Sequence, residues 1–340
     1  MLKKCAVWDL DNTLWDGVLL EGDIKVRPEA RQVIEALDSR GVLNSIASRS
    51  EQELALATLR STGLLEYFLV PQINWEAKPK NIISISQALQ VSLDSIVFVD
   101  DDPFELAQVS YMLPEVMTFD AAHTRELLVH PCFLIEQATK EARLRRRFYR
   151  AEQARLEAQR EYPNREAFLQ SCAMQLTLRA MQRGDTPRVL ELMSRTHQLN
   201  TTGRLFAEEE LVSILNEQSG GFCIRVAELS DRFGGYGMIG AAVVKNSDSS
   251  WKLHLLAVSC RVLGRGVERA FLASLLADAR SCGCDRATAL FRETGRNRAM
   301  LALYQMMGFR KCSSPNWEGM SEFSRVTDPP PVVPRWIQVI

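Results

Sequence analysis

Short apolar runs that alternate with segments of helical apolar spacing limit the fold of this chain more than any other feature. Such alternation predicts parallel strands with helices on both faces of the sheet, where ligands bind beyond the carboxyl ends of the strands. The strand-like runs of the first part are Cys5–Trp8, Leu43–Ala47, Tyr67–Val70, Ile96–Val99 and Val116–Phe119. The segments with helical spacing between them are Pro28–Arg40, Glu51–Thr62, Asn81–Gln90 and Phe104–Tyr111.

A second set of runs predicts a second domain of mixed strands and helices. The 340 residues are enough for two domains, at about 100–200 residues for each. The predicted strands of this part are Gln175–Leu178, Phe222–Leu229, Met238–Lys245, Trp251–Val258 and Ala287–Phe291. The predicted helices are Pro187–Thr196, Glu208–Gln218, Gly266–Cys282 and Asn297–Met307.

A charged segment separates the two patterns. Residues 134–170 are rich in Glu, Lys, Arg, Gln and Ala and include the basic run Arg143–Arg147. Opposite charges at helical spacing favour a solvated helix there over an anion-binding segment. We therefore predict a domain over residues 1–133, a linker helix over 134–170, a domain over 171–313 and a proline-containing tail over 314–340.

Composition excludes several classes of protein. The 41 basic and 42 acidic side chains leave a net charge of −1, which argues against a nucleic-acid binder with its basic face. No apolar run approaches the roughly 20 residues that span a bilayer, and the start lacks the apolar core of a signal peptide. Eight scattered cysteines without paired zinc spacing predict a reduced, cytoplasmic protein. From the charge and the apolar runs we expect neither nucleic-acid nor membrane partners.

Two carboxylates follow the first predicted strand. Asp9 closes the apolar run, and Asp11 can return to the same pocket across a tight turn. Two carboxylates this close ionise together at low cost only with a cation or a shared proton, and Mg²⁺ prefers such oxygen ligands. One carboxylate would attack phosphorus while the other handles the proton of the leaving group.

Three further strand ends supply the remaining parts of a phosphoryl-transfer site. Ser48 offers a hydroxyl, Lys78 a positive charge, and Asp100-Asp101-Asp102 further carboxylates. Phosphoryl transfer depends mainly on positioning and charge neutralisation, so this set is sufficient in kind. Helix capping is the alternative reading of Ser48 or Asp102 alone, but it does not account for the ordered set.

These residues resemble, in order, the four motifs of the haloacid dehalogenase superfamily of phosphotransferases. The resemblance implies a Rossmann-like α/β fold, and the short segment after Thr13 leaves no room for a large cap. It also implies that Asp9 is the nucleophile that becomes an aspartyl phosphate. Asp11 would be the general acid/base and a metal ligand through its main-chain carbonyl. The matching motifs are Asp9-x-Asp11-x-Thr13, Ser48, Lys78 and Asp100-Asp101.

The same resemblance implies roles for the other motif residues. Asp101, with Asp100 beside it, would hold Mg²⁺. Thr13 and Ser48 would fix the phosphoryl group, and Lys78 would steady the nucleophile and the phosphate.

A glycine turn predicts an anion site in the second domain. Arg261, Gly264, Arg265 and Gly266 lie between a predicted strand and a predicted helix, where backbone amides and the helix N-terminus favour a phosphate. The turn resembles the pyrophosphate-binding turn of the GCN5-related N-acetyltransferases, and residues 297–309 fit the last motif of that family. The resemblance implies an α+β acyltransferase-like domain.

Together the two halves resemble the FkbH-like family of polyketide biosynthesis, from Lys4 to about Cys312. The resemblance rests on residues 8–19 and 259–268. It implies a bifunctional, Mg²⁺-dependent glyceryltransferase/phosphatase that acts on 1,3-bisphosphoglycerate. Its glyceryl unit would pass to the phosphopantetheine thiol of an acyl carrier protein.

Cys260 is the candidate that would carry the acyl group as a thioester. Arg261, Arg265 and the helix N-terminus would lower its pKa, and a thiolate is a natural relay for acyl transfer. The alternative is a small core residue, and the two interpretations stay open. Cys5 is the rival thiol, but its place inside the first strand predicts burial.

Two histidines and two tryptophans are further candidates for the two pockets. His254 is a candidate base and His197 a candidate pocket residue, but core and surface positions explain them better. Trp8 is predicted to lie in the core, while Trp15 stays open between core and pocket wall.

Two other functions fit parts of the pattern. One is a phosphatase fused to an acetyl-CoA-dependent N-acetyltransferase that acts on an amine. The other is a non-catalytic docking module for a carrier protein, which the complete phosphoryl-transfer set disfavours.

Overall fold

The continuous apolar runs of the first part form a parallel sheet, as predicted. The computed structural model describes residues 3–133, 143–216, 221–247, 250–312 and 319–340. It divides into two compact units, Met1–Gln153 and Ala154–Ile340. The strands and helices of the first unit are β1 (Cys5–Trp8), β2 (Trp15–Asp16), β3 (Lys25–Val26), α1 (Pro28–Ser39), β4 (Leu43–Ser48), α2 (Gln52–Ser61), β5 (Gln72–Ile73), α3 (Lys78–Leu89), β6 (Ile96–Asp100), α4 (Pro103–Met112) and β7 (Met117–Asp120).

Strand β1 lies at the centre of this sheet, whose order is β5-β4-β1-β6-β7. It pairs in parallel with β4 on one side and β6 on the other, so that Val7 lies opposite Ser45 and Phe98. All residues of these three strands are buried, because helices cover both faces. The carboxyl ends of β4, β1 and β6 therefore lie side by side.

Alternate residues of β1 serve two separate cores. Ala6 and Trp8 pack into a core that includes Val33 of α1 and Leu59 of α2. Cys5 and Val7 belong to a second core. This core also contains Ile82 and Ile85 of α3 and Val109 of α4. This period of two is the ordinary side-chain alternation of a strand, and it fixes which way the strand end presents its next residue.

The prediction of a strand over Tyr67–Val70 is wrong. Leu65–Tyr67 form a short 3₁₀ turn, and the strand that pairs with β4 is Gln72–Ile73. Phe68 and Leu69 are buried, so the run is apolar because it packs on the core. Val70 has a φ of +49°, which a strand does not accommodate.

The charged segment contains two helices where one long helix was predicted. They are α5 (Arg145–Gln159) and α6 (Arg165–Ser171), and residues 134–142 lie outside the described part. Pro163 lies between them, and Asn164 caps α6 by accepting a hydrogen bond from the backbone N of Ala167. Proline cannot donate a helix hydrogen bond, which explains the break.

Several charged residues of α5 are held by ion pairs rather than solvated. Arg146 donates from Nε to Asp38 Oδ1 at 2.8 Å, within the first unit. Arg155 is buried within the second unit. The charged composition of this segment therefore does not show which of its residues form ion pairs.

An eight-stranded sheet forms the second unit, in the order β13-β14-β12-β11-β10-β9-β8-β15. Strands β8 to β11 form an antiparallel meander, β12 runs parallel to β11, and helix α9 packs Phe271 and Leu275 into the core. The elements are β8 (Met174–Ala180), α7 (Thr186–Arg195), α8 (Glu208–Asn216), β9 (Phe222–Asp231), β10 (Gly234–Ser247), β11 (Ser250–Val258), α9 (Val267–Ser281), β12 (Arg286–Arg292), α10 (Arg298–Met306), β13 (Arg310–Lys311), β14 (Met320–Val326) and β15 (Ile337–Val339).

A short segment fills the opening where β11 and β12 diverge. The two strands pair only over residues 251–253 of β11. Beyond that point Thr201 donates from its backbone N to Leu256 O at 3.0 Å, and its own carbonyl accepts from Arg292 N at 3.0 Å. The backbone groups of both strand ends are thereby satisfied within the unit.

The prediction of a tail over residues 314–340 is wrong where that segment forms two strands of the sheet. Strand β14 pairs with β12, and β15 pairs with the first strand of the unit, β8. Phe323 and Ile337 are buried in the core. In the described residues 319–340, the proline-rich stretch between these two strands has neither a helix nor a strand. None of the described helices has the length and apolar character to cross a membrane.

Arg155→Ala is expected to destabilise the second unit strongly. Arg155 Nε and Nη2 donate to Asp231 at 2.7 and 2.8 Å, and the two side chains are only 3% and 0% exposed. Removing the arginine leaves a buried, uncompensated carboxylate, which costs about 3–5 kcal/mol of unfolding free energy. Denaturant unfolding of the full chain measures this loss.

Arg280→Ala is the matched control, because Arg280 pairs with Asp328 in an exposed ion pair at 2.9 Å. Its expected cost is about 0–1 kcal/mol. Similar losses for the two variants would contradict a special role for the buried pair.

Candidate active sites

Asp9 and Lys78 meet at the carboxyl end of the central strand. The backbone N of Asp9 donates to Val99 O at 2.9 Å, which continues the pairing of β1 with β6. Lys78, the first residue of α3, donates from Nζ to Asp9 Oδ1 at 2.8 Å and to Asp100 Oδ2 at 2.5 Å. The side chains of Asp9, Asp100 and Lys78 are 8%, 1% and 6% exposed. One buried ammonium group thus joins two buried carboxylates.

Burial dominates the electrostatics of this group. It raises the pKa of Asp9 to about 7, against the opposing effects of Lys78 and of a hydrogen bond from Ser48. Burial also raises the pKa of Asp100, again against Lys78. For Lys78, burial alone would lower the pKa, but the two carboxylates outweigh it and raise the pKa overall. The lysine therefore stays protonated, and the carboxylates exceed the positive charge beside them.

Asp101 joins these carboxylates in a group that suits a divalent cation. One carboxylate oxygen from each of Asp9, Asp100 and Asp101 lies within 4.8 Å of the other two. Thr13 donates from Oγ1 to Asp101 Oδ1 at 3.1 Å and so orients that carboxylate. Clustered carboxylate oxygens are the ligands that Mg²⁺ takes, and a cation would offset the excess negative charge. The hydroxyl of Thr13 faces a candidate metal ligand here, and its phosphoryl contact stays a prediction.

Asp11 lies outside this carboxylate group. Its Oδ1 accepts hydrogen bonds from Trp15 Nε1 at 2.8 Å and from Leu19 N at 3.1 Å. The side chain thereby stabilises the turn that leads into β2 and β3. Trp15 is fully buried, as is Trp8, for which the prediction of a core position is confirmed. The acid/base role of Asp11 and its main-chain metal contact stay predictions.

The helix-cap reading holds for one of the two residues it concerned. Asp102 is the N-cap of α4 and accepts a hydrogen bond from Phe104 N at 2.8 Å. Ser48 is buried beside Asp9, and Glu51 caps the following helix instead. Ser48 thus belongs to the site and not to a helix end.

The segment between β1 and β4 contains no large cap. Between β1 and β4, where every residue is described, the chain forms only the β2–β3 hairpin and α1. This confirms the prediction from the length of that segment.

Sequence reasoning missed Arg49 and Glu105. Arg49 follows Ser48 directly, and its Nη1 lies 2.9 Å from Glu105 Oε1 in the first turn of α4. The signal that was available is the adjacency of each residue to a motif already identified. A single sequence does not show that the two side chains meet.

The glycine turn of the second unit has the backbone that its residues predict. Gly264 and Gly266 have φ values of +74° and +78°, which favour glycine. Arg165 Nη2 donates to Gly264 O at 2.9 Å, and Trp336 Nε1 donates to Arg265 O at 2.7 Å. Residues assigned by sequence to the linker and the tail therefore support the turn. Its binding of an anion stays a prediction.

Cys260 lies just after β11, at the start of a 3₁₀ turn, and it is exposed. The alternative of a core residue is therefore wrong, while the acyl-carrying role stays a prediction. Arg265 donates from Nη1 to Arg261 O at 2.9 Å within the same turn. Cys5 is fully buried, and burial raises the pKa of its thiol to about 12, which disfavours a thiolate there.

Neither candidate histidine has the surroundings of an active base. His254 packs against the Phe222 ring with centroids 5.1 Å apart, and burial lowers its pKa to about 4. His197 is exposed on the surface. The ordinary explanations of both residues are confirmed.

Mg²⁺ binding is expected to strengthen as the pH rises. Because the pKa of Asp9 is raised to about 7, this carboxyl must lose a proton to hold the cation. Between about pH 6 and about pH 8 the ionised fraction rises about tenfold, and the affinity should follow. Titration calorimetry of the full chain measures this. The Asp9→Asn variant should show a weaker dependence, to which Asp100 still contributes, and an unchanged dependence in that variant would contradict the assignment.

Comparison with known proteins gives a family match within the second unit. Residues 187–309 match the family model of the acetyltransferase (GNAT) family. A similar solved structure is the ribosomal-protein-S18-alanine N-acetyltransferase of Escherichia coli, at 19% identity and a TM-score of 0.35. The similarity covers 45% of this chain and 94% of that chain.

Similarity to phosphatases concerns the other part of the chain. A crystallised N-terminal part of a Bacteroides fragilis protein, containing a phosphatase domain complexed with Mg, is 28% identical with a TM-score of 0.37. It covers 40% of this chain, which spans only 42% of that chain. The magnesium-dependent phosphatase 1 of Homo sapiens is 30% identical over an alignment of 129 residues, and the match covers 32% of this chain and 73% of the human protein. The chain therefore belongs to the haloacid dehalogenase-type magnesium-dependent phosphatases and carries in addition a GNAT acetyltransferase-like domain.

Proposed function

We propose that the chain is a bifunctional glyceryltransferase/phosphatase. It would take 1,3-bisphosphoglycerate, remove phosphate and load the glyceryl unit onto the phosphopantetheine thiol of an acyl carrier protein in polyketide biosynthesis. The observation that carries the proposal is the buried Asp9–Lys78–Asp100 group in the same chain as an acyltransferase-type domain with an exposed Cys260. The resemblance to the FkbH-like family supplies the substrate and the carrier.

The chemistry of the substrate requires two different bond cleavages. An acyl phosphate at one end reacts with a thiol, which forms a thioester and releases inorganic phosphate. The phosphate ester at the other end is not activated in this way, so its removal needs a phosphatase. A glyceryl thioester without phosphate is reached only when both reactions occur.

Asp9 is suited to the ester cleavage. A carboxylate oxygen of Asp9 attacks phosphorus, the bond to the glyceryl oxygen breaks, and that oxygen takes a proton from Asp11. Water then hydrolyses the aspartyl phosphate with Asp11 as base. Lys78 holds the attacking carboxylate in place at 2.8 Å. Mg²⁺ bound by Asp9, Asp100 and Asp101 would neutralise charge on the phosphoryl group.

Cys260 is suited to the acyl transfer. Its thiolate attacks the carbonyl carbon of the acyl phosphate, and the bond to the phosphate oxygen breaks. The carrier thiol then attacks the enzyme thioester and releases Cys260. The exposed position of Cys260, just before the glycine turn, gives a carrier thiol access to its sulfur.

A second function is favoured by the family match over residues 187–309. A phosphatase fused to an acetyl-CoA-dependent N-acetyltransferase would use the same second unit without a covalent cysteine. The two functions differ in their products. Glyceryl transfer adds a glyceryl mass to the carrier protein, whereas the alternative acetylates an amine and leaves the carrier unchanged.

Asp9→Asn is expected to abolish phosphate release, by more than about 1000-fold, because the attacking oxygen is lost. Asp23→Asn is the matched control, since Asp23 is an exposed aspartate of the segment between β2 and β3. A colorimetric phosphate assay with Mg²⁺ measures release, and thermal unfolding verifies the fold. Unchanged release by Asp9→Asn would contradict the nucleophile.

Cys260→Ala is expected to remove the glyceryl adduct that forms on the protein with 1,3-bisphosphoglycerate. Cys282→Ala is the matched control, because Cys282 is also exposed in the second unit. Intact-protein mass spectrometry measures the adduct, and the same experiment with the carrier protein measures the product. An adduct that persists on Cys260→Ala would place the relay on another residue. Amine acetylation without any carrier product would favour the second function.

A further inference from the structure

Arg49 lies beside the phosphoryl-transfer site, but the chemistry derived above does not use it. It follows Ser48 at the carboxyl end of β4, and its partner Glu105 is the third residue of α4, just after β6. Because β1 lies between β4 and β6, this ion pair connects the loops on both sides of the strand end that presents Asp9. The guanidinium is thereby held between the loops that follow β4 and β6.

Only one of the two carboxylate oxygens of Glu105 has a partner among the described residues. It is 5% exposed, and its Oε1 accepts from Arg49 at 2.9 Å. Its Oε2 has no hydrogen-bond partner. A buried carboxylate oxygen without a partner costs free energy, so stability alone does not account for this arrangement. Holding a cation in one position does account for it.

Arg49 keeps donors available for a ligand. Its side chain is 38% exposed, and the Glu105 contact engages only Nη1. No other hydrogen bond or ion pair of Arg49 occurs within the described ranges. A guanidinium carries five N–H donors in a planar fork that matches carboxylate and phosphate oxygens. The remaining donors suit an oxyanion at the mouth of the site.

The site offers positive charge to the reacting phosphoryl group without Arg49. Lys78 is already placed against Asp9, and the three carboxylates Asp9, Asp100 and Asp101 suit the cation that phosphoryl transfer requires. Arg49 is a further cation, on the exposed side, where the remainder of a substrate would extend. The segment between β1 and β4 contributes no large cap to that side.

We propose that Arg49, held by Glu105, binds a second anionic group of the substrate, so that the phosphatase site selects phosphate esters with a further carboxylate or phosphate. The inference rests on the phosphatase part of the proposed function and not on glyceryl transfer. It makes Arg49 a specificity residue that contacts substrate, and Glu105 a positioning residue.

Binding to a catalytically inactive variant tests the proposal without turnover. The full-length Asp9→Asn protein is loaded with Mg²⁺ and titrated with three probes of similar size. These are 2-phosphoglycolate, ethane-1,2-diol bisphosphate and 2-hydroxyethyl phosphate, whose tails are a carboxylate, a phosphate and an uncharged hydroxyl. We expect one or both of the probes with an anionic tail to bind about 10- to 100-fold more tightly than the probe with the hydroxyl tail, because one charged hydrogen-bonded pair is added.

Arg49→Ala in the same background should remove this preference and leave the affinity for 2-hydroxyethyl phosphate unchanged. Arg49→Lys should retain part of the preference, because it keeps the charge without the fork. Arg60→Ala is the matched control, an exposed arginine at the end of α2, and it should retain all of the preference.

The first two probes distinguish a carboxylate from a phosphate as the preferred group. Equal affinities for all three probes in the Asp9→Asn parent would overturn the proposal. Equal weakening of all three by Arg49→Ala would also overturn it, since that result indicates a purely structural tie. Because neither Cys260 nor a carrier protein takes part, these results are independent of the acyl-transfer step.

Discussion

The buried contact of Lys78 with Asp9 and Asp100 is the interaction on which the phosphatase site depends. Two carboxylates at the ends of adjacent strands would repel each other in a site almost closed to solvent. The lysine stabilises their approach, and α3 begins at this residue, so that the helix start places the ammonium group. Parallel pairing of β1 with β6 also brings the two carboxylates together, because it puts both strand ends at one edge of the sheet. The same strand pairing and the same contacts of Lys78 therefore hold the strand ends together and assemble the candidate site.

Continuous apolar runs made much of the fold predictable. The buried strands β1, β4 and β6 could be read directly, because helices on both faces leave them no polar side. The same criterion failed at Tyr67–Val70, where an apolar run is buried without being extended. It also failed at the C-terminus, where prolines concealed the strands β14 and β15. Apolar content indicates that a segment is buried, but it does not show whether the backbone of that segment is extended.

Motifs at strand ends made most of the candidate site predictable, since Asp9, Ser48 and Lys78 meet as expected. Asp11 was predicted from its spacing, but its side-chain partners are Trp15 and Leu19. Contacts between distant charged residues were beyond a single sequence, because many pairings are compatible with the same composition. The pairs Arg49–Glu105 and Arg155–Asp231 are of this kind.

The role of Asp9 can be tested by a crystal structure with Mg²⁺ and beryllium trifluoride, a mimic of a phosphoryl group. We expect the beryllium to be bonded to a carboxylate oxygen of Asp9, with the metal ion coordinated by Asp9 and Asp101 and the ammonium group of Lys78 retained beside them. A metal ion bound elsewhere, or a beryllium adduct on another residue, would contradict this role.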